Sequence, residues 1–314
     1  MAHEIESMFF VGETPWHGLG ERLIEVPDTK TAIIKAGLDW SVKTVPLYTA
    51  EGVKVDSLGV QRESDGSILG VVGPRYTPLQ NSEAFSFFDP FVESGLVQLE
   101  TAGSLCSGGK IWILARIAEN SDTEIIKGDA VRKFLMLSNS HDGTTAVRVG
   151  FTPVRIVCAN TLRMAHDGSS ELIRVRHGLS VKANIDALRD TINIANRAFE
   201  ATADQYRLLA QKQINAEDLE KYVKTVLGVK VDADGEISTR AQNQVDAVIQ
   251  LFEGGRGQNI QGVSGTLWAA YNGVTEFLTH EAQGDATKRY QSLWFGQNAV
   301  RNQLALTEAL KLAA

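Results

Sequence analysis

Alternating apolar and polar positions dominate the first half of the chain and predict β-strands. Residues 40–48 (WSVKTVPLY) and the runs at 57–63 and 67–73 have an extended pattern, and Ser64-Asp65-Gly66 between the two runs is a strong hairpin signal. LVQLETAGSL and KIWILARI flank CSGG and predict a second hairpin, and AVRKFLMLSNS and TTAVRVGF flank HDG and predict a third. Successive hairpins predict an antiparallel meander rather than βαβ units.

Helical periodicity takes over in the second half of the chain. Apolar positions step by three and four residues from Ile185 to Leu209, a heptad pattern of about seven turns that predicts one long helix. This helix lies either across the sheet, which is the favoured arrangement, or against another chain. Shorter helices are predicted from an N-cap at Asn215 to a stop at Gly228, over 239–253, near 264–281 and at the end of the chain. One more is predicted in the first half, over 81–92, with Phe85, Phe88 and Phe91 facing inward.

These patterns together predict an α+β fold: an antiparallel β-hairpin meander packed on a long helix, followed by a helical C-terminal region. Residues 1–182 form the predicted β-rich core, whose segment 131–182 is basic, and residues 183–314 form the helical region. A chain of 314 residues with 43% hydrophobic and 22% charged residues has a globular composition. Because no apolar run approaches the ~20 residues of a membrane span and the N-terminus lacks a secretory pattern, we expect a cytoplasmic protein with no membrane partner.

Charge is distributed unevenly along the chain. The net charge is −7, yet residues 131–189 carry nine basic and four acidic side chains, whereas residues 1–130 carry ten and nineteen. Residues 190–314 carry twelve basic and fifteen acidic side chains. A basic middle between acidic flanks predicts a localised anion-binding face, and the alternative is a strand-rich region whose exposed face happens to be basic.

Arginine is the residue type that best suits phosphate in this basic segment, because its planar guanidinium donates two hydrogen bonds at once. An asparagine amide adds contacts to phosphates or bases. Since adjacent residues of a strand point to opposite faces, the basic side chains do not all share one surface. The candidate nucleic-acid-binding residues, with the asparagine in a supporting role, are Arg132, Lys133, Arg148, Arg155, Asn160, Arg163, Arg174 and Arg176.

Other kinds of site have weaker support. GSLCSGGK at 103–110 lacks Ser or Thr after the lysine and leads into a strand, so it is a turn rather than a phosphate-binding loop. Cys158 lies in an apolar strand, where a free cysteine is usually a small buried hydrophobe rather than a nucleophile. The His-Asp pairs at 141–142 and 166–167 leave a metal site open, although their spacing matches no helical site. The sequence therefore predicts no catalytic residue and no cofactor, and it favours a protein that is not an enzyme.

Several short signatures occur in order along nearly the whole chain. They are TPWHGLG at 14–20, VVGPRYTPLQNSEAF at 71–85, GGKIWILARI at 108–117, NSHDGTTAVRVGFTPVRIVCANTL at 139–162, GTLWAAYNGVTEF and WFGQNAVRNQLAL. Together they resemble the phage/plasmid-like protein family, domain of unknown function 932, whose name records no activity and implies a phage or plasmid context. The layout of hairpins running into a long helix is also distantly similar to that of single-strand annealing recombinases, which assemble into rings or filaments and hold DNA in a positive groove.

We therefore expect a single-stranded DNA-binding protein that promotes strand annealing or homologous recombination. Annealing needs no nucleophile, because the protein neutralises phosphates and base pairing does the rest. A homo-oligomer, a ring or filament, is expected because one protomer grips only a few nucleotides. Two alternatives stay open. One is a protein-interaction or regulatory factor of a mobile element, for example an inhibitor of host defence that binds through the acidic N-terminal segment and the helical tail, and the other is a metal-dependent nuclease that uses the two His-Asp pairs.

Overall fold

A computed structural model places the described strands before residue 162 and most of the helices after it, so the fold is mixed α+β. The described residues are 5–12, 20–118, 122–145, 147–155, 160–161, 185–230, 236–282, 289, 292–293 and 296–314, with the backbone alone described at 5, 160–161, 185–192, 194–195 and 198. The predicted boundary at residue 182 lies outside the described residues and stays a prediction.

Strands account for most of the described residues before residue 162. The strands are β1 (Ile5–Val11), β2 (Glu21–Leu23), β3 (Val42–Tyr48), β4 (Lys54–Arg62), β5 (Ile68–Val72), β6 (Val97–Leu105), β7 (Lys110–Ile117), β8 (Asp122–Ile126), β9 (Asp129–Ser140), β10 (Arg148–Arg155) and β11 (Asn160–Thr161). The helices are α1 (Thr29–Lys35), α2 (Asn81–Ser86), α3 (Asp89–Glu93), α4 (Ile185–Gln211), α5 (Ala216–Leu227), α6 (Thr239–Gly254), α7 (Leu267–Glu276), which continues into a π-helical turn (Phe277–Glu281), and α8 (Gln297–Ala313).

The described strands form two sheets. The smaller sheet has the order β3-β4-β5, and the larger has the order β11-β10-β9-β7-β6-β1-β2, with β8 paired to β9. The β4–β5 and β6–β7 hairpins pair as predicted. One continuous meander is not confirmed, because β1 lies antiparallel beside β6, with Phe9 opposite Ala102, and β2 runs parallel to β1. This arrangement buries the apolar run of β1, including Phe9 and Phe10.

Local signals account for the element ends that were predicted well. In the β4–β5 turn, Asp65 accepts a hydrogen bond from the backbone N–H of Ser67 at 2.9 Å, and Gly66 has a φ of 76°, which favours glycine. Asn215 caps α5 by accepting from the N–H of Asp218 at 2.9 Å, and Gly228 ends that helix with a φ of 68°. These turns and caps are set by residues close in sequence.

The predicted helix over 81–92 is instead two short helices, α2 and α3. Pro90 lies in the first turn of α3, where its missing N–H is tolerated, but it disfavours continuing a helix through the residue before it. Phe85, Phe88 and Phe91 are buried as predicted. In α4, three members of the predicted seam, Phe199, Tyr206 and Leu209, are buried, and a fourth, Thr202, is partly buried.

The chain divides into two compact units. The first unit comprises residues 1–119, 134–151 and 165–194, and the second comprises 120–133, 152–164 and 195–314. The first contains β1 to β7 and α1 to α3, and the second contains β8, the start of β9, and α5 to α8. Within the described residues, no helix combines the length and the apolar character that crossing a membrane requires.

Candidate functional site

The eight predicted nucleic-acid-binding residues have three different outcomes. Some are engaged by carboxylates, one is partly exposed without an ion pair to any described residue, and the others have side chains outside the described residues. The engaged cations are Arg132, Lys133 and Arg155, the partly exposed one is Arg148, and those outside the described side chains are Asn160, Arg163, Arg174 and Arg176.

Arg155 is fully buried and forms an ion pair with Asp129, which is also fully buried. Its Nε donates to Asp129 Oδ1 at 2.8 Å, and its Nη2 donates to Oδ2 at 2.5 Å. The guanidinium also donates to the backbone carbonyls of Arg256, at 3.1 Å, and Gly257, at 3.3 Å. The prediction that Arg155 contacts a DNA backbone is therefore wrong for this structure, because its donors are directed into the interior of the second unit.

Aromatic side chains surround this ion pair. Trp268 of α7 donates its indole N–H to Asp129 Oδ2 at 2.8 Å, and the centre of its ring system lies 5.5 Å from the guanidinium carbon of Arg155. The rings of Tyr206 and Tyr271 lie 4.9 Å and 5.9 Å from that of Trp268, measured between centroids. The PVRIVCANTL and GTLWAAYNG signatures thus meet at one buried ion pair.

The sequence analysis missed Asp129 and Trp268 as partners of Arg155. One signal was available: Trp268 lies within an apolar helical run, where a buried indole N–H needs an acceptor. Asp129 follows a glycine in the turn between β8 and β9, so its sequence context indicates a solvent-exposed turn residue rather than a buried carboxylate.

Lys133 is only 3% exposed and is likewise unavailable to a ligand outside the protein. Its Nζ lies 3.2 Å from Glu200 Oε1 and 3.3 Å from Asn196 Oδ1, and it lies 4.7 Å from the centroid of the Phe199 ring. The predicted contact of Lys133 with DNA is therefore wrong for this structure, because its side chain is buried and its ammonium group is held by Glu200 and Asn196.

Arg132, the neighbour of Lys133 in β9, has a more accessible side chain that is 28% exposed. Its Nε and Nη2 donate to the two carboxylate oxygens of Asp122 at 2.7 Å and 2.9 Å. An ion pair at the surface typically contributes only about 0–1 kcal/mol. Arg132 therefore remains compatible with a phosphate contact, which would replace the contact with Asp122.

Arg148 begins β10 in the first unit and is partly exposed. It forms no ion pair with any residue that the structure describes. Of the nine basic side chains between 131 and 189, three are paired with carboxylates that lie outside that segment. The basic surplus available to a ligand is thus smaller than the sequence count suggests, and it is shifted toward residues after 147.

A second cluster in the first unit surrounds the turn after β9. His141 is fully buried, and its Nε2 lies 2.8 Å from Asn81 Oδ1. The Asn81 amide nitrogen donates to the carbonyls of Leu38 and Trp40 at 3.1 Å and 3.2 Å, which leaves Oδ1 as the acceptor for a proton on Nε2. Nδ1 of His141 is then an unprotonated acceptor, and no group among the described residues donates to it.

Asp142 holds the turn together. It accepts hydrogen bonds from the N–H of Thr144 at 2.9 Å, from the Thr144 hydroxyl at 2.6 Å and from the Ser140 hydroxyl. Lys110 Nζ lies 3.8 Å from its other oxygen. Asp142 is therefore engaged by its own turn and His141 by Asn81, and no group of three potential metal ligands occurs within the described part of the chain. The second pair, at 166–167, and Cys158 lie outside the described residues.

Burial lowers the pKa of His141 to about 4, and the positive charge of Arg62 acts in the same direction. Since the usual pKa is 6.5, the unfolded chain binds a proton over a pH range in which the folded protein does not. The contribution of neutral His141 to the free energy of unfolding is therefore fully present above pH 6.5. Up to about 3 kcal/mol of it is lost as the pH falls toward 4. We expect urea unfolding between pH 7.5 and 4.5 to show this loss in the wild-type protein.

His141→Gln should flatten the pH dependence, because glutamine has no proton to gain in that range. His280→Gln, which changes a histidine of the second unit, is the control and should keep the wild-type slope. The slopes are compared rather than the absolute stabilities, so a general loss of stability in His141→Gln does not affect the test. Equal slopes for wild type and His141→Gln would contradict a buried, neutral His141.

Comparison with known proteins supplies a family for the chain. Searches of curated proteins and of solved structures return no significant match. A family profile matches residues 68–306, which include the turn at His141, the Arg155 ion pair and α7. The chain therefore belongs to the family described as Domain of unknown function (DUF932).

Proposed function

We propose that the chain is a single-stranded DNA-binding protein that promotes strand annealing or homologous recombination. One observation carries this proposal: residues 148–182 contain six basic and two acidic side chains. Of the two basic side chains that the structure describes there, Arg155 is held in the buried ion pair with Asp129, and Arg148 is partly exposed. A local excess of arginine attracts the phosphate backbone, and that attraction is independent of base sequence.

The proposed DNA contacts follow from the placement of the basic residues. Arg132 is partly exposed, and a phosphate bound there would compete with Asp122 for the Arg132 guanidinium. We exclude Lys133 and Arg155 from the proposed DNA contacts, because their ion pairs instead stabilise β9 and β10. The remaining proposed backbone contacts, with Asn160 in support, are Arg148, Asn160, Arg163, Arg174 and Arg176.

We also propose that the protein works in the cytoplasm of a phage or plasmid host as a homo-oligomeric ring or filament. A few phosphate contacts per protomer hold a strand weakly, and repeated protomers along one strand add their contacts. In this arrangement the hairpin sheet packs on the long helix α4, as in the layout of annealing recombinases. The mechanism uses no cofactor, because base pairing between the two strands supplies the driving free energy.

Annealing of two complementary strands tests this function. A fluorescently labelled strand of about 40 nucleotides is mixed with a quencher-labelled complement, with and without the protein, at low salt. We expect the protein to accelerate loss of fluorescence and a non-complementary strand to give no loss. Binding of DNA without acceleration would reject the annealing role and leave DNA binding alone.

A second candidate function is protein interaction within a mobile element. The smaller sheet and the loop beside it expose apolar side chains, with Tyr48, Val53, Ile68 and Val71 each at least 47% exposed. Exposed apolar groups of this kind occur at protein-binding surfaces. A protein of this class would bind a host protein and would show no salt-sensitive affinity for bare DNA, so DNA titration separates the two functions.

A further inference from the structure

The smaller sheet, β3-β4-β5, has apolar side chains on both of its faces. Its inner face forms a buried cluster of the first unit around Val42, Val60 and Val72. On its outer face, Ile68 is 47% exposed and Val71 is 61% exposed. An antiparallel sheet with one face in water normally carries polar side chains on that face. The outer face of this sheet departs from that pattern, and exposed apolar surface of this kind marks a place where another molecule binds.

Four aliphatic side chains form one continuous surface on the outer face. Val45 in β3 and Val71 in β5 are the cross-strand neighbours of Gly59 in β4, so all three lie on the same face. A Cβ atom at Gly59 would come within 3.1 Å of the Leu47 side chain and within 3.3 Å of those of Ile68 and Val45. The side chains therefore meet over Gly59. We call Val45, Leu47, Ile68 and Val71 the outer patch.

Charge around the outer patch is nearly balanced. Residues 41–73 carry three basic and four acidic side chains, whereas the rest of residues 1–130 carry seven basic and fifteen acidic ones. The patch itself contains no charged residue. Both ends of the sheet expose charges of both signs, among them Lys43, Glu63, Lys54 and Asp56.

This charge distribution favours a second copy of the chain as the partner. Two copies that met through other parts of the first 130 residues would bring acidic surfaces together, whereas the outer patch brings no like charges together at its centre. A nucleic acid or a strongly charged peptide gains no electrostatic attraction from such a surface. Because apolar contact is non-directional, the same patch on two copies is complementary to itself across a two-fold axis.

We propose that two copies of the chain associate face to face through the outer patch, with Ile68 and Val71 of each copy in the contact. Burial of apolar surface supplies the driving free energy, and the charges of both signs at the rim set the orientation. This inference rests on the homo-oligomer proposed above and names its contact surface, but it does not require DNA. A ring or filament is then built from such dimers through other surfaces.

Sedimentation velocity of the full chain without DNA, at about 1–100 μM, tests this proposal. The wild-type protein should show an equilibrium between monomer and dimer. Ile68→Lys with Val71→Lys, and Ile68→Glu with Val71→Glu, should each weaken the dimer by at least about tenfold, because like charges then meet in an apolar contact. The matched control is Val300→Lys with Leu312→Lys, which changes two side chains of α8 that are 68% and 46% exposed. It should keep the wild-type equilibrium within about twofold.

Mixing the lysine variant with the glutamate variant identifies the occupant of the patch. Opposite charges then meet across the two-fold contact, so the mixed pair should associate at least about tenfold more tightly than either variant alone. If a charge variant lowers the melting temperature, Ile68→Ser with Val71→Ser, which removes apolar area without adding charge, should still weaken the dimer.

Three results would overturn the proposal: a wild-type monomer at about 100 μM, a dimer that the charge variants retain, or no gain in association on mixing. A wild-type monomer would assign the outer patch to a different protein. The DNA titration reports separately on the proposed function, so a protein that dimerises through the patch without binding DNA supports this inference and contradicts only the DNA-binding role.

Discussion

Arg155→Ala should lower the free energy of unfolding by about 3–5 kcal/mol, because it leaves the Asp129 carboxylate buried without its cation. The substitution also removes donors from the backbone carbonyls of Arg256 and Gly257. Guanidinium chloride denaturation followed by tryptophan fluorescence measures the loss, and Trp268, which contacts the ion pair, reports from inside the affected region. We expect this to be the largest effect of any single substitution among the eight predicted interface residues.

Arg197→Ala is the matched control, because it removes an exposed arginine of the second unit. Its expected effect is within about 0.5 kcal/mol. The double variant Asp129→Ala with Arg155→Ala should cost less than the sum of the single variants, since neither charge is then left unpaired. A loss below about 1 kcal/mol in Arg155→Ala would contradict the buried ion pair.

Replacing Arg148, Arg163, Arg174 and Arg176 together by glutamine should nearly abolish single-stranded DNA binding. Each phosphate contact contributes about 0.7 to the slope of log affinity against log salt for a single strand, so four lost contacts reduce the slope by about 3. Fluorescence anisotropy at several salt concentrations measures both the affinity and the slope. The variant should keep the wild-type unfolding free energy, because the Arg155 ion pair remains intact.

A control with equal loss of charge distinguishes a local site from general attraction. Replacing Arg22, Lys54, Lys127 and Lys221 by glutamine removes four exposed cations that are spread along the chain outside the basic segment. This control should retain most of the wild-type slope. If both quadruple variants lose the same affinity, binding depends on net charge alone and the proposed site is wrong.

Elements set by nearby residues could be predicted from the sequence. The α5 caps at Asn215 and Gly228 and the β4–β5 turn at Asp65 depend on residues within a few positions of each other, and all were found. The place of β1 could not be predicted, because pairing Phe9 with Ala102 depends on competition among all exposed strand edges. Sequence periodicity predicts which side chains of a strand face the core, but it does not predict which other strand pairs with it.

The partners of charged side chains were even less predictable. Lys133 and Arg155 look like surface cations in sequence, and they are buried because Glu200 and Asp129 reach them from distant segments. A count of basic residues thus overestimates an interface when it cannot identify which cations already have carboxylate partners.

The most direct test of the central claim is single-stranded DNA binding by the wild-type protein. A labelled strand of about 40 nucleotides is titrated with the full chain at about 50 mM and 200 mM salt, and anisotropy is recorded. With four phosphate contacts the account predicts measurable binding at the lower salt and an affinity about fiftyfold weaker at the higher salt. Absence of binding at about 50 mM salt, or an affinity that does not change with salt, would contradict it.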